Sequence, residues 1–231
     1  MTTILALDTS TDYCSVAIWR EGLLASRDEH LPRQHTRQLL PMVDEVLREA
    51  SMSLKDVDAI AFGAGPGSFT GLRICLGFAQ GLAYSVDVPL IPVSTLCAVA
   101  LAASERFSES DVTVLQDARM NELYVGHYRG KTAAQISPVN QDRLLKPNDI
   151  SVDASSWVVG DGLDLLSDEL QEALKPRYLG SVAPSARYIA ALALPLFESG
   201  ATVPAHLAEP VYLRNEVSWQ KRVKKSDAIN P

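Results

Sequence analysis

The feature that most constrains this chain is a glycine-rich turn, Phe-Gly-Ala-Gly-Pro-Gly-Ser-Phe-Thr-Gly-Leu-Arg from Phe62 to Arg73, set between two segments of different periodicity. Val57, Ala59, Ile60, Ala61 and Phe62 form an apolar run of strand length before it, and Leu72 to Tyr84 follow at helical spacing. A strand-to-helix turn can aim free backbone N–H groups and the positive helix end at an anion, and its glycines admit a close neighbour. Two phosphate motifs can be excluded by their letters. A Walker loop needs a Lys-Ser/Thr pair, and no lysine lies between Lys55 and Lys131. A dinucleotide fingerprint needs a glycine where Ser68 or Thr70 stands, and Gly71 comes one position late. Three readings stay open on the residues alone: a structural or partner-facing turn, a nucleotide-associated turn, and a peptide or metabolite site.

Around this turn the chain reads as α/β. Ile4 to Leu7 and Cys14 to Trp19 are strand-like, separated by the polar cluster Asp8 to Asp12, and Glu21-Gly22 marks a hairpin into Leu23 to Ser26. Leu39, Val43, Val46, Leu47 and Ala50 recur on one helical face between His35 and Ala50, with the regular helix expected to start at Pro41. The helix after the glycine turn carries Gly71, Gly77 and Gly81, each interior glycine costing about 1 kcal/mol against alanine. Close packing, within the fold or across an interface, is the expected compensation. Ser94 caps a further helix through Ala103. The polar segment Ser104 to Asp111 then divides a first lobe, 1–105, from a second, 106–218, which includes a helix at Ala186 to Leu194 and is followed by a polar tail, 219–231.

A formal charge of −7 over 231 residues disfavours unaided binding to nucleic acid or anionic membrane. No apolar stretch approaches the ~20 residues of a membrane span, no signal peptide is evident, and three widely spaced cysteines suit a reducing compartment. The expectation is a cytoplasmic protein without membrane contact. His30, His35, His127 and His206 lack the spacing of a helical metal pair, so no metal site is expected. Ser68 and Thr70 have no histidine near in sequence and no nucleophile elbow, and helix capping accounts for them.

Asp8-Thr9-Ser10-Thr11 after a first strand, Cys14 to Ala17 on the second and Gly63 to Arg73 together resemble the ASKHA superfamily of actin-like and sugar-kinase-like proteins, which implies a two-lobed α/β fold with mixed sheets flanked by helices. Gly65 to Arg73, Val93-Ser94-Thr95-Leu96 and Ala208 to Asn215 narrow the resemblance to the bacterial TsaB (YeaZ) family. That resemblance implies a non-catalytic subunit that binds and activates TsaD, with the ATPase TsaE, for threonylcarbamoyladenosine formation at the anticodon-adjacent adenosine of tRNAs reading ANN codons. It implies a docking face on the first two helices, expected at Leu39, Leu40, Val43, Leu47, Leu72, Arg73, Leu76 and Gln80, through which a homodimer would also form when TsaD is absent. tRNA would be reached through the complex. Asp8, Thr9, Ser10, Gly65 and Gly67 would be a vestigial phosphate turn. No cofactor is expected on this chain alone, which leaves ATP or ADP at or near the complex interface. The opposing class is a stand-alone ATP-dependent kinase or carbamoyl transferase of the same fold.

Overall fold

In the computed structural model of the chain, residues 1–214 are described; the expected polar tail 219–231, and residues 215–218 of the expected second lobe, lie outside them. Strands β1 (Ile4–Asp8), β2 (Tyr13–Trp19) and β3 (Leu23–His30) precede helix α1 (His35–Glu49); β4 (Ala59–Gly65), α2 (Phe69–Val86), β5 (Leu90–Ser94) and α3 (Thr95–Phe107) follow. Then come β6 (Asp111–Asp117), β7 (Leu123–Arg129), β8 (Ser137–Pro138), β9 (Arg143–Leu145), β10 (Trp157–Val159), α4 (Asp168–Leu174) and α5 (Ala186–Glu198).

The first sheet has the order β3-β2-β1-β4-β5, with the β1–β2–β3 meander antiparallel and β4 and β5 added in parallel. Alternation decides its two faces. Leu5, Leu7, Val16, Ile18, Ile60 and Phe62 point toward α1 and α2, while Ile4, Ala6, Ala17, Ala59, Ala61 and Ile91 point toward α3 and α5. The small residues on the second face let the alanines of α5, Ala186, Ala190 and Ala193, lie close to the sheet.

The second sheet has the order β10-β6-β7-β8, with β9 also paired to β7. Its centre repeats that of the first: an antiparallel hairpin, β6–β7 or β1–β2, whose first strand takes a parallel neighbour, β10 or β4. An aspartate ends the leading strand of each unit, Asp8 on β1 and Asp117 on β6. Helix α3 is common to both sheets: Ala98 and Leu101 face the first, and Leu96, Val99, Ala100 and Ala103 face Val112, Val114 and Tyr128 of the second.

Two expectations need correction. Helix α1 starts at His35 with Pro41 inside it, because Pro41 lies on the exposed side, where the carbonyl deprived of its partner is open to water. Helix α5, allotted by sequence to the second lobe, packs on β1, β2, β4 and β5 of the first sheet, because its alanine face matches that sheet's small-residue face. Among the described residues no helix is long and apolar enough to cross a membrane.

Candidate functional site: a sealed turn and an open helix face

The sequence-predicted phosphate turn comes together in space, but it is closed. Thr9 and Ser10 follow β1, and the glycine turn leads from β4 into α2 through a cis Gly65–Pro66 peptide. The Ser68 N–H donates to the Ser10 carbonyl at 2.8 Å, and Thr9 Oγ1 donates to the Gly71 carbonyl at 2.8 Å. A Cβ at Gly67 would fall 2.7 Å from the Ser10 carbonyl oxygen, and one at Gly71 would fall 2.0 Å from that of Thr9. Both glycines are therefore required by the contact between the two turns. At the head of α2, Ser68 Oγ accepts the Gly71 N–H as an N-cap and the Leu72 N–H goes to the Ser68 carbonyl. The Ser68, Gly71 and Leu72 amides are thus spent on the protein itself.

Asp8 lies behind this seam, fully buried. Its Oδ1 accepts the Ser10 N–H at 3.0 Å and the Ser10 hydroxyl at 2.8 Å, while Oδ2 has no partner. Burial pushes the carboxyl up to about 6 against the pull of the Ser10 bonds. A Cβ at Gly63 would fall 1.9 Å from Oδ2, so the glycine makes the room the carboxyl occupies. Thr95 Oγ1, which donates to the Pro66 carbonyl, helps close the remaining side. Gly65 faces elsewhere: with φ of +110° it turns toward Val211, whose N–H donates to the Ala64 carbonyl at 2.7 Å.

In front of the seam a cleft of about 500 Å³ separates the Ser10 to Tyr13 turn and the head of α2 from the ends of β6 and β10. Asp12, Asp117 and Asp161 line it with Arg119 and Arg214. Both guanidinium groups are already engaged, Arg119 with Asp117 at 2.9 Å and Arg214 Nε with Glu122 at 3.1 Å. Arg119, Met120 and Asn121 are consecutive non-glycine residues with φ near +60°. Arg214 steadies this turn by donating to the Ala118 and Arg119 carbonyls at 3.1 and 3.2 Å. Among the described residues the lining offers three carboxylates and two guanidinium groups already paired, a balance that does not favour a polyphosphate. Among the described residues no cluster of three or more His, Cys, Asp or Glu is placed to hold a metal ion. His35 Nε2 lies 3.2 Å from the Tyr13 carbonyl and His127 pairs with Asp111 at 2.6 Å; among the described residues no histidine is bonded to a serine or cysteine.

The expected docking residues divide sharply. Leu39, Val43, Leu47 and Leu72 lie in the chain's own core and are corrected accordingly: the apolar face of α1 is covered by the first sheet. Leu40 is 43% exposed, and Leu76 is half-buried against the core. Arg73 is exposed, but its guanidinium stacks 3.9 Å over the Phe69 ring and donates to the Tyr212 hydroxyl at 3.1 Å. Gln80 donates to the Ala205 carbonyl at 2.8 Å. Arg73 and Gln80 thus tie α2 to the segment 205–212. The outward face of α2 is instead built from Gly77 and Gly81, with exposed Thr70 and Tyr84 along it. Among the described residues, a Cβ at either glycine would meet nothing within 4 Å. The i, i+4 spacing of Gly77 and Gly81 carried this signal in the sequence, though the side they face did not.

Comparison with known proteins agrees with this architecture. Residues 28–154 match the family model described as TsaD, tRNA N6-adenosine threonylcarbamoyltransferase. The Escherichia coli protein named tRNA threonylcarbamoyladenosine biosynthesis protein TsaB is 40% identical over 94% of this chain and 97% of its own length. The Haemophilus influenzae protein of the same name is 40% identical over 95% and 96%. The solved structure of YeaZ from Pseudomonas aeruginosa, 37% identical, covers 92% of this chain and 100% of that one with a TM-score of 0.82. The TsaB relatives and the YeaZ structure match nearly end to end, across both sheets, so the two-lobed fold is of the ASKHA type, and the chain belongs to the TsaD-type domain family and, within it, to the TsaB proteins.

Proposed function

We propose that this chain is a non-catalytic subunit that binds TsaD and supports threonylcarbamoyladenosine formation at the anticodon-adjacent adenosine of ANN-reading tRNAs, in the cytoplasm and with TsaE as a further partner. The relatives' name supports the process, and similarity to the TsaD family supports a pair of like folds meeting through like faces. One observation carries the docking reading. Gly77 and Gly81 sit in the interior of an 18-residue helix, weaken it by about 1 kcal/mol each against alanine, and face open space among the described residues, where an added Cβ would meet nothing within 4 Å. A partner helix approaching closely along this groove would turn that cost into contact, with Leu40 of α1 and Tyr84 of α2 as exposed apolar flanks. The same face would serve a homodimer when TsaD is absent.

The sealed Asp8 seam and the acidic cleft support a subunit that neither binds nor hydrolyses a nucleotide by itself. ATP or ADP would then belong at or near the interface with TsaD, and tRNA would be held by the complex rather than by a chain of net charge −7. Reconstitution of threonylcarbamoyl transfer from purified components, with and without this chain, tests the reading. Transfer that needs both this chain and TsaD, with no ATP turnover by this chain alone, is expected. ATP hydrolysis or tRNA modification by the chain alone would establish a stand-alone enzyme instead.

A further inference from the structure

A second cavity of about 610 Å³, distant in character from the acidic cleft, opens between the end of β5, the head of α3, the 133–142 loop and α5. Its walls are apolar, with Pro92, Ile136, Leu192, Pro195, Leu196 and Val211 among them. Among the described residues one carboxylate, that of Asp142, interrupts them. Tyr128 donates its hydroxyl to Asp142 Oδ1, and Ser94 donates to Oδ2 at 2.8 Å while its own oxygen accepts the Cys97 N–H at 3.2 Å as the N-cap of α3. Both hydroxyl protons are directed at the carboxyl, an arrangement that suits the anion. The first turn of α3 adds its positive end to the same side.

The site is built rather than incidental. A Cβ on Gly126, in the middle of β7, would fall 2.6 Å from Asp142 Oδ1 and 2.6 Å from the Tyr128 ring, so only glycine leaves room for the carboxyl here. Burial pushes the Asp142 carboxyl above its ordinary value, against the two hydroxyl bonds that pull it down. Among the described residues no lysine, arginine or histidine nitrogen lies within 4.0 Å of it. A pocket of this volume with apolar walls and one oriented charge has the composition of a small-molecule site.

We propose that this cavity binds a small primary amine with an apolar body, its ammonium on Asp142 and its hydrocarbon against α5 and the 133–138 loop. Gly126, Ser94 and Tyr128 position the carboxylate. The inference is independent of TsaD binding, since the cavity shares no residue with the outer face of α2.

The test uses 2-phenylethylamine and its neutral counterpart 2-phenylethanol, titrated into the full chain and followed by amide and side-chain NMR shifts. Expected is saturable binding of the amine with shifts at Asp142, Tyr128 and Leu192, about tenfold tighter than the alcohol, as one charge-assisted bond would give. Asp142→Asn should abolish the preference for the amine, and Leu196→Trp, which fills the cavity, should weaken both probes with the chain still folded. Equal binding of the two probes, an unchanged preference in Asp142→Asn, or no saturable shift around the cavity would each overturn the proposal.

Discussion

Helices α2 and α3 begin alike and end in opposite circumstances. Each follows a parallel strand of the first sheet, each is capped by a serine, Ser68 or Ser94, whose side chain accepts an amide of the first turn, and each is rich in small residues. In α3, nine of the thirteen residues are buried, since one sheet covers each side of it. Its alanines admit those two sheets. In α2, Gly71, Leu72, Cys75, Ala79 and Ala83 are buried along one stripe, and the glycines at 77 and 81 lie opposite with open space before them. Small residues thus signal close approach in both helices, but only in α2 is the approaching element absent among the described residues.

Four experiments break or sharpen this contrast. Leu101→Ala removes a fully buried α3 side chain and should cost about 2 to 5 kcal/mol in denaturant unfolding. The Asp8 carboxyl, wedged between Gly63 and Thr95 beside both helices, should couple folding to pH. Its folded value, about 6, lies above the unfolded 3.8, so its contribution is fully present below pH 3.8 and is lost as pH rises through 6. Asp8→Asn should remove that decline and leave the chain more stable at pH 7, by up to about 3 kcal/mol, which thermal unfolding between pH 4 and 7 will read. Gly81→Ala should stabilise the isolated chain by about 1 kcal/mol and weaken the proposed complex with TsaD, whereas a purely structural glycine would lose stability. Arg73→Ala breaks the stack on Phe69 and the bond to Tyr212; at this exposed site the loss should be about 0.5 to 1 kcal/mol or less.

Much of this was legible in the sequence. The apolar run before Gly63, the helix over Leu72 to Tyr84 and the serine cap of α3 follow from period and capping chemistry, and the structure places them where those rules predict, with α2 extending to Phe69–Val86. Pro41 misled, because a proline's effect depends on whether its side of the helix meets water. The docking leucines misled for a related reason: periodicity shows that Leu39, Val43 and Leu47 share a face, but whether a sheet or a partner covers it is a tertiary fact. The Asp142 site left no local signal, since Ser94, Gly126, Tyr128 and Asp142 come from separate segments, and Ser94 reads in isolation only as a cap.

The position of α3 has a consequence for how the molecule comes apart. A division near residue 105 falls at the end of the helix that both sheets use as a wall, and α5 crosses back over that division to cover the first sheet. Neither half severed there retains a complete core. The chain should denature in one transition, and the α3 amides should exchange with deuterium only when the whole molecule opens.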